Sequence, residues 1–354
     1  MIVYSDSIVS SQIIGQDGPN IITDFPRYLE SLDPKKAVFH APFPRHNDFD
    51  ELGRNFDRAY DVSEQIILLV SELHNVTVDF IENYDKTKII YFLNGDLNFK
   101  LSQAQVYHWN NWFETTARFY KHNQHLLDKL NPYQLKPYYF DILLGQERPH
   151  RNYIFNYINE NKLNDQVIMT YMTTRHQNFQ RCNNSEWIWE SEGVEIPEWS
   201  IRHTVTKVKY YDQLISLSQI IPISIYNQTA YSLIAETWGS DNRFTFNTEK
   251  IVKPILAERL FLVASNQYYL RNLRDMGFKT FSGVIDESYD QEPDLERRCA
   301  MISEQVEYLI KQPQDEILKQ IRPITEYNKH VMLDTDWYGD FARELRAVLL
   351  AHTN

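Results

Sequence analysis

The chain has 354 residues, which is enough for about two domains with a core each. Hydrophobic residues make up 43% of it, so packed cores are expected, and the net charge of −12 argues against broad binding to nucleic acid. Its 2 cysteines and the lack of a long apolar run predict neither a disulfide framework nor a membrane span. The N-terminus lacks the basic region of a signal peptide, so we expect a cytoplasmic protein.

The first 135 residues alternate between strand and helix patterns. Residues 37–40 predict a short strand, residues 60–72 combine helical and apolar features, residues 88–93 predict a buried strand and residues 109–120 predict an aromatic-rich helix. Such alternation favours a parallel sheet, in which ligands bind beyond the carboxyl ends of the strands. The loops after these strands are therefore candidate binding regions.

A second strand and helix follow a linker predicted at residues 130–136. Residues 138–145 predict a strand, and residues 152–163 carry apolar side chains at helical spacing. Between them lies a polar loop with Arg148 and Arg151, the latter at the predicted helix start. The remaining predicted elements are strands at 166–171, 260–264 and 279–281, a helix followed by a strand over 214–225, and helices at 268–276, 295–311 and 336–352.

The stretch from residue 231 to residue 261 is the most informative part of the chain. An apolar strand ends at Glu236, and a polar loop leads to Thr248-Glu249-Lys250. Thr248 is a good N-cap, and a helix start with free N–H groups can hold an anion. Lys250 and Lys253 would add positive charge, and Glu249 could accept hydrogen bonds from a ribose. The alternative is that Glu249 and Lys253 form a solvated pair at i,i+4 spacing.

Two further patterns limit the chemistry. Pro254 favours a separate short turn at residues 248–250, with the longer helix starting near the proline. With only 10 glycines, the chain has no dinucleotide-binding or P-loop motif, so phosphate binding must depend on helix starts and cations. The Asp334-Thr335-Asp336 sequence suits a divalent cation, but its place before a predicted terminal helix favours capping. We expect no bound metal and no cofactor.

The segment from Glu236 to Lys250 resembles the donor-binding motif of the α1,3-fucosyltransferase family and, more loosely, of exostosin-like glycosyltransferases. The resemblance implies an α/β GT-B fold with two Rossmann-like domains and a central cleft. Residues 1–135 would form the acceptor-side domain and residues 136–325 the nucleotide-sugar-binding domain, with residues 326–354 a helix that crosses back. Thr237 and residues 251–254 depart from the family pattern, which leaves the sugar open.

The resemblance also implies roles for individual residues. Glu249 would bind the ribose, Lys250 the diphosphate, and Glu236 the sugar or base. A loop arginine after the first strand would also reach the diphosphate, with Arg151 as the first candidate and Arg148 as the second. The donor would be a GDP- or UDP-sugar and the acceptor is not identified. The full set of expected donor-binding residues is Arg148, Arg151, Glu236, Thr248, Glu249, Lys250 and Lys253.

An inverting transfer also needs a base on the acceptor side. The candidates by residue type and predicted position are Glu72, His40 and Asp96, and a retaining transfer would need none of them. A protein of another class, which keeps this fold for binding or for a structural role without catalysis, remains the alternative.

Overall fold

The chain is a mixed α/β protein, seen in a computed structural model that describes residues 2–4, 36–41, 64–70, 73–172, 192, 194, 207–337, 343 and 347. It divides into two compact units. The first comprises Met1–Asn111 with Asp336–Asn354, and the second comprises Trp112–Thr335. The domain limits that the sequence predicts, at residues 135 and 325, stay predictions.

The first unit contains a five-stranded parallel sheet. In chain order the elements are β1 Ile2–Tyr4, β2 Lys36–Ala41, β3 Gln65–Val70, helix α1 Asn75–Asn83, β4 Ile89–Asn94, the two-residue β5 Asp96–Leu97, and β6 Gln105–Trp109. The sheet order is β1-β2-β3-β4-β6, and each neighbouring pair is parallel. The strands predicted at 37–40 and 88–93 are confirmed as β2 and β4.

Strand β4 shows why this sheet is parallel. All six of its residues are buried, and its near-continuous apolar run is typical of a strand covered on both faces. The strand ends at Asn94, whose Oδ1 accepts from the N–H of Asn111 at 3.0 Å. Gly95 follows with φ of +121°, a backbone conformation that favours glycine, and the chain then turns into β5.

The second unit contains a four-stranded parallel sheet of order β13-β11-β7-β8. Its helices are α2 Asn111–His122, which begins at the junction of the units, α3 Pro149–Glu160, α4 Ile223–Tyr226, α5 Glu249–Leu256, α6 Tyr269–Asp275, α7 Leu295–Lys311 and α8 Gln314–Asp334. Its strands are β7 Tyr138–Gln146, β8 Val167–Met172, the antiparallel hairpin of β9 Lys207–Tyr210 and β10 Gln213–Ser216, β11 Thr229–Ala235, the two-residue β12 Phe244–Thr245, and β13 Phe261–Ala264.

A buried ion pair aligns the two central strands of this sheet. Arg259 Nη2 lies 2.7 Å from Asp141 Oδ1, and Ser232 on β11 also donates to that carboxylate at 2.8 Å. The same guanidinium donates to the backbone carbonyls of Tyr226, Thr229 and Tyr231. Since β7 and β11 are parallel neighbours, their carboxyl ends lie at the same edge of the sheet, and this network joins the two strands. Nothing in the sequence pattern indicates this network.

Most predicted elements of the second unit are confirmed, including the helix at 295–311, but two predictions are wrong. Residues 279–281 form no strand because the side chain of Asn328 satisfies the backbone of Lys279, accepting from its N–H and donating to its carbonyl, both at 2.8 Å. Residues 213–226 form a strand and then short helical turns, the reverse of the predicted order. Helix α8 was not predicted, and the helix predicted at 336–352 lies largely outside the described residues.

The predicted linker, residues 130–136, lies inside the second unit. Tyr133 donates its hydroxyl to Glu258 Oε2 at 2.7 Å, and the N–H of Lys136 donates to Gln314 Oε1 at 2.9 Å. Lys136 is buried, and its burial lowers its pKa to about 8. This segment therefore has a packed structure.

In the described part of the chain, no helix combines the length and the apolar character that crossing a membrane requires.

Candidate functional site

Two helix starts follow the carboxyl ends of the neighbouring strands β7 and β11. Strand β7 leads to the start of α3, with Arg148, His150 and Arg151. Strand β11 leads to Glu236. Thr248, at the start of the next helix α5, donates a hydrogen bond to this carboxylate. The two starts bring most of the predicted donor-binding residues to one edge of the sheet.

Glu236 is a fully buried carboxylate held by three donors. Its Oε2 accepts from Thr248 Oγ1 at 2.7 Å, and its Oε1 accepts from the Tyr269 hydroxyl at 2.9 Å and from the N–H of Thr248 at 3.3 Å. Burial raises its pKa, although the nearby Lys250 opposes this shift. The sequence did not indicate Tyr269, which lies in the first turn of α6.

The residues at the start of α5 satisfy one another. Thr248 is the N-cap, as predicted, and its Oγ1 accepts from the N–H of Lys250 at 3.3 Å. Lys250 Nζ donates to Glu249 Oε1 at 2.9 Å and to Thr248 Oγ1 at 3.1 Å, and lies 3.9 Å from Glu236 Oε2. The N–H groups of Thr248 and Lys250 are therefore occupied within the protein, while the Lys250 side chain keeps 28% exposure.

Glu249 and Lys253 are both buried, so the alternative of a solvated pair is wrong. Burial lowers the pKa of Lys253 to about 8, while Glu249 opposes this shift. The ammonium group donates to the carbonyl of Ser218 at 2.9 Å. Burial raises the pKa of Glu249, but Lys250 and Lys253 outweigh it and bring the pKa below its ordinary value.

Helix α5 is continuous from Glu249 to Leu256 and includes Pro254. The expectation of a separate turn before the proline is therefore wrong. Proline removes one backbone hydrogen bond from a helix interior, and this helix ends only two residues later. The packing of its buried residues, Ile251, Val252, Ile255 and Leu256, offsets that loss.

Helix α3 starts at Pro149, three residues before the predicted start, and proline is favoured at this position. Arg151 therefore lies in the first turn and points inward. Its Nη1 donates to the carbonyl of Gln146 at 2.8 Å, and its Nη2 donates to those of Glu236 at 2.8 Å and Ala235 at 3.2 Å. Burial lowers its pKa to about 10. Arg151 thus joins the ends of β7 and β11.

His150 makes a second link to the same carbonyl. Its Nε2 lies 2.9 Å from the Glu236 carbonyl oxygen, and because a carbonyl only accepts, this nitrogen carries the proton. Burial, with Arg151 nearby, lowers the pKa of His150 to about 3, so the ring is neutral. A Cβ at Gly239 would lie 2.8 Å from His150 Nδ1, which explains the glycine there.

Arg148 differs from its neighbours. It is the N-cap residue of α3, and no side chain caps this helix. Its guanidinium lies 5.3 Å from the centre of the Trp238 ring, and its buried Nε, like that of Arg151, has no hydrogen-bond partner in the described part of the chain. Among the described residues Arg148 has no carboxylate partner. The start of α3 therefore presents an unpaired cation and an uncapped helix end.

Of the three predicted base candidates, Asp96 lies on β5 and His40 on β2, both in the first unit. Asp96 is partly exposed, and its Oδ2 accepts from Asn110 Nδ2 at 3.4 Å. Its Oδ1 lies 3.7 Å from Nδ1 of His108, a residue that the sequence reasoning missed. His40 lies on β2 opposite Leu69, but its side chain is outside the described part, as is the whole of Glu72.

The described residues contain no group of three or more His, Cys, Asp or Glu that could hold a metal ion. In the Asp334-Thr335-Asp336 sequence, Asp334 ends α8 and Thr335 is its C-cap. The motif was expected to cap the start of the helix predicted at 336–352, which lies largely outside the described residues, so that expectation stays a prediction.

Searches against protein-family models and against curated proteins found no match for this chain. What the site can do must therefore be argued from its geometry.

Proposed function

We propose that this chain is a GT-B-type glycosyltransferase that takes a sugar from a GDP- or UDP-sugar to an acceptor not yet identified. One observation carries the proposal: the buried Glu236 at the end of β11 contacts the Thr248-Glu249-Lys250 helix start through Thr248 and Lys250. The residues that carry the resemblance, at positions 236 and 248–250, are separated by a loop and form one cluster. No tightly bound metal is part of the proposal.

The carboxylates of the proposed nucleotide-sugar site can accept hydrogen bonds from the ligand. A carboxylate accepts strong hydrogen bonds from hydroxyl pairs such as a ribose diol. Glu249, kept ionised by Lys250 and Lys253, suits this role. Glu236 holds the helix start in place through Thr248.

A diphosphate is stabilised by cationic side chains that still have hydrogen-bond donors available. Arg151 is buried and donates to three backbone carbonyls, so its role here is to hold the edge of the sheet. Arg148 has no anionic partner in the described part of the chain and stands at an uncapped helix start, where backbone dipoles favour an anion. We therefore assign the diphosphate to Arg148. Lys250 is the second cation, because its side chain keeps 28% exposure although it donates to Glu249 and Thr248.

The division of the chain also supports the GT-B proposal. Each unit has its own parallel sheet, and residues Asp336–Asn354 group with the first unit after the second is complete. The resemblance implies such a return of the C-terminal segment.

A thermal-shift panel of GDP, UDP, ADP, CMP and their sugars tests the proposal. A ligand present at about 100 times its Kd adds about 2.7 kcal/mol to the stability of the native state. We expect GDP or UDP and the corresponding sugar to raise the Tm, and Lys250→Ala to weaken binding by about 1.5–3 kcal/mol. Lys319→Ala, a change in an exposed i,i+4 pair, is the control. The proposal fails if no compound in the panel shifts the Tm.

The residues at the start of α5 already satisfy one another. This observation favours a second candidate function, a binding or structural protein that keeps this fold without catalysis. Glu236 already occupies the N–H of Thr248, as a structural carboxylate would. Release of nucleoside diphosphate from a bound sugar donor separates the two, since only a transferase or hydrolase releases it.

A further inference from the structure

The side chain of Lys250 contacts the carboxylate that we assign to the ribose. Its Nζ donates to Glu249 Oε1 at 2.9 Å, and the Glu249 side chain keeps only 6% exposure, against 28% for Lys250. The hydroxyls of a ribose must come within hydrogen-bond distance of the carboxylate oxygens in order to donate to them. The same ammonium group is also the second cation of the proposed diphosphate site. Glu249 and Lys250 therefore occupy, in each other, the groups that they would offer to a donor.

Lys250 is the movable member of this cluster. Among the described residues its Nζ has two hydrogen-bond acceptors, Glu249 Oε1 and Thr248 Oγ1, and its side chain is partly in solvent. When the ammonium group leaves, Thr248 still donates to Glu236 Oε2 at 2.7 Å and still accepts from the N–H of Lys250 at 3.3 Å. The N-cap of α5 therefore does not depend on the position of the Lys250 ammonium group.

Lys253 keeps a positive charge near Glu249 when Lys250 moves. It lies one helical turn after Glu249 on α5, is buried, and donates to the carbonyl of Ser218 at 2.9 Å. Burial raises the pKa of Glu249, and Lys250 and Lys253 both lower it. A buried carboxylate without a nearby cation favours its protonated form. Because Lys253 stays in place, Glu249 can lose its contact with Lys250 and still accept hydrogen bonds as an anion.

We propose that a diphosphate ligand draws the Lys250 ammonium group away from Glu249 and thereby uncovers this carboxylate for the ribose. This inference rests on the proposed function and links its two parts. No covalent bond changes in this step. Only the acceptor of the ammonium group changes, from a carboxylate oxygen to a phosphate oxygen. Binding of the diphosphate and binding of the ribose are therefore coupled, and each strengthens the other by the same factor.

Glu249→Gln is the sharpest variant, because a neutral amide holds Lys250 less strongly than a carboxylate does. Exposed ion pairs are weak and buried charged hydrogen bonds are strong, and this half-buried pair lies between them. We therefore expect inorganic pyrophosphate to bind about 5- to 10-fold more tightly to Glu249→Gln than to the wild type in calorimetric titrations. Glu326→Gln, which breaks an exposed ion pair with Arg322, is the matched control and should leave the Kd unchanged. An unchanged or higher Kd in Glu249→Gln would contradict the proposal.

The same change in a Lys250→Met background separates release of Lys250 from the mere loss of a negative charge. Lys250→Met keeps an apolar stem and removes the ammonium group. If Glu249 acts by holding Lys250, Glu249→Gln should lose most of its gain in pyrophosphate affinity in this background. An equal gain in both backgrounds would show that the loss of charge alone explains the effect, and it would overturn the proposal.

A second measurement needs no variant. Guanosine and uridine are titrated into the wild-type protein with and without saturating pyrophosphate, which compares the ribose affinity of Glu249 after and before Lys250 is drawn away. We expect pyrophosphate to tighten the binding of one of these nucleosides at least about 5-fold, and to tighten that of its 2′-deoxy form by less. No tightening of either nucleoside would refute the coupling.

The outcomes keep this inference apart from the proposed function. If GDP, UDP and pyrophosphate all fail to bind the wild-type protein, the proposed function itself fails. If GDP or UDP binds and Glu249→Gln leaves the pyrophosphate affinity unchanged, the donor site stands and the exchange of partners at Lys250 is wrong.

Discussion

The starts of helices α3 and α5 follow neighbouring strands of one sheet, yet their electrostatics differ. At α5 the protein supplies its own anions. Glu236 accepts hydrogen bonds from the N–H and the hydroxyl of Thr248, and Glu249 accepts one from the Lys250 ammonium group. At α3 no side chain caps the helix, and the guanidinium of Arg148 faces an aromatic ring with no carboxylate. A motif that predicts an anion site can thus be satisfied internally, while a less distinctive helix start next to it stays open.

The same comparison separates two arginines that are three residues apart. Arg151 is buried among backbone carbonyls, whereas Arg148 is half-buried and unpaired among the described residues. A cation whose terminal nitrogens donate to the protein stabilises the fold, as Arg151 does, and a cation without such bonds is available to a ligand. This distinction leads to opposite expectations for the two side chains.

The largest expected effect is on stability in Arg151→Met. The change leaves the carbonyls of Gln146 and Ala235 without the Arg151 donor, while the Glu236 carbonyl keeps His150 as a donor, and each hydrogen bond to a charged group contributes about 1.5–3 kcal/mol. We expect the free energy of unfolding to fall by about 3 kcal/mol in urea titrations. Arg148→Met is the matched control and should change it by less than about 1 kcal/mol. Equal losses in both variants would contradict the comparison.

The second effect is on ligand binding in Arg148→Met. Because Arg148 is assigned to the diphosphate, the affinity for GDP or UDP should fall by about 1.5–3 kcal/mol, roughly 10- to 100-fold in Kd. Calorimetric titration measures the change. Arg322→Met, which removes an exposed arginine paired with Glu326, is the control. Unchanged affinity in a folded Arg148→Met protein would move the diphosphate site elsewhere.

The third effect is acid sensitivity through His150. Its pKa of about 3 in the folded protein lies below the ordinary 6.5, so the unfolded chain binds this proton first as the pH falls. Stability is therefore lost as the pH drops from about 6.5 towards 3, by about 2 kcal/mol at pH 5. In His150→Gln this part of the loss should vanish, since Gln does not titrate. Urea titrations at pH 7 and pH 5 measure how much unfolding free energy the wild type and the variant lose between these pH values. Equal losses in the two proteins would refute the burial of a neutral ring.

The smallest effect is expected for Gly239→Ala. A Cβ would lie 2.8 Å from His150 Nδ1, so the ring or the loop must shift. Overpacking costs about 1–3 kcal/mol, and the reduced freedom of the unfolded chain offsets about 0.4–1 kcal/mol, which leaves a net loss of about 1 kcal/mol. Gly283→Ala has no atom within 4 Å of its Cβ and serves as the control. A wild-type Tm for Gly239→Ala would show that the contact is soft.

Local patterns were enough to predict many elements of the fold. The apolar run of β4, the strand at 138–145 and the helix Leu295–Lys311 follow from periodicity, and Thr248 follows from its capping chemistry. Residues 279–281 have a strand-like pattern too, but a side chain 49 positions away satisfies the backbone of Lys279. Such a long-range contact cannot be deduced from neighbouring residues.

The site was predictable in its residues but not in their connections. The sequence pointed to both arginines and favoured Arg151 for the diphosphate, yet Arg151 turns inward because the helix begins at Pro149. It also pointed to Asp96 but not to His108, because the pairing arises only when β4 and β6 become neighbours in the sheet. Neither the orientation of the arginines nor the pairing of Asp96 with His108 can be deduced from spacing along the chain.

The central claim, a diphosphate site beside Glu236, is tested most directly by calorimetric titration of GDP and UDP into the wild-type protein, with inorganic pyrophosphate as competitor. The account predicts saturable binding of one nucleotide per chain, displaced by pyrophosphate and weakened in both Arg148→Met and Lys250→Ala. Absence of saturable binding by either nucleotide to the folded protein would contradict it.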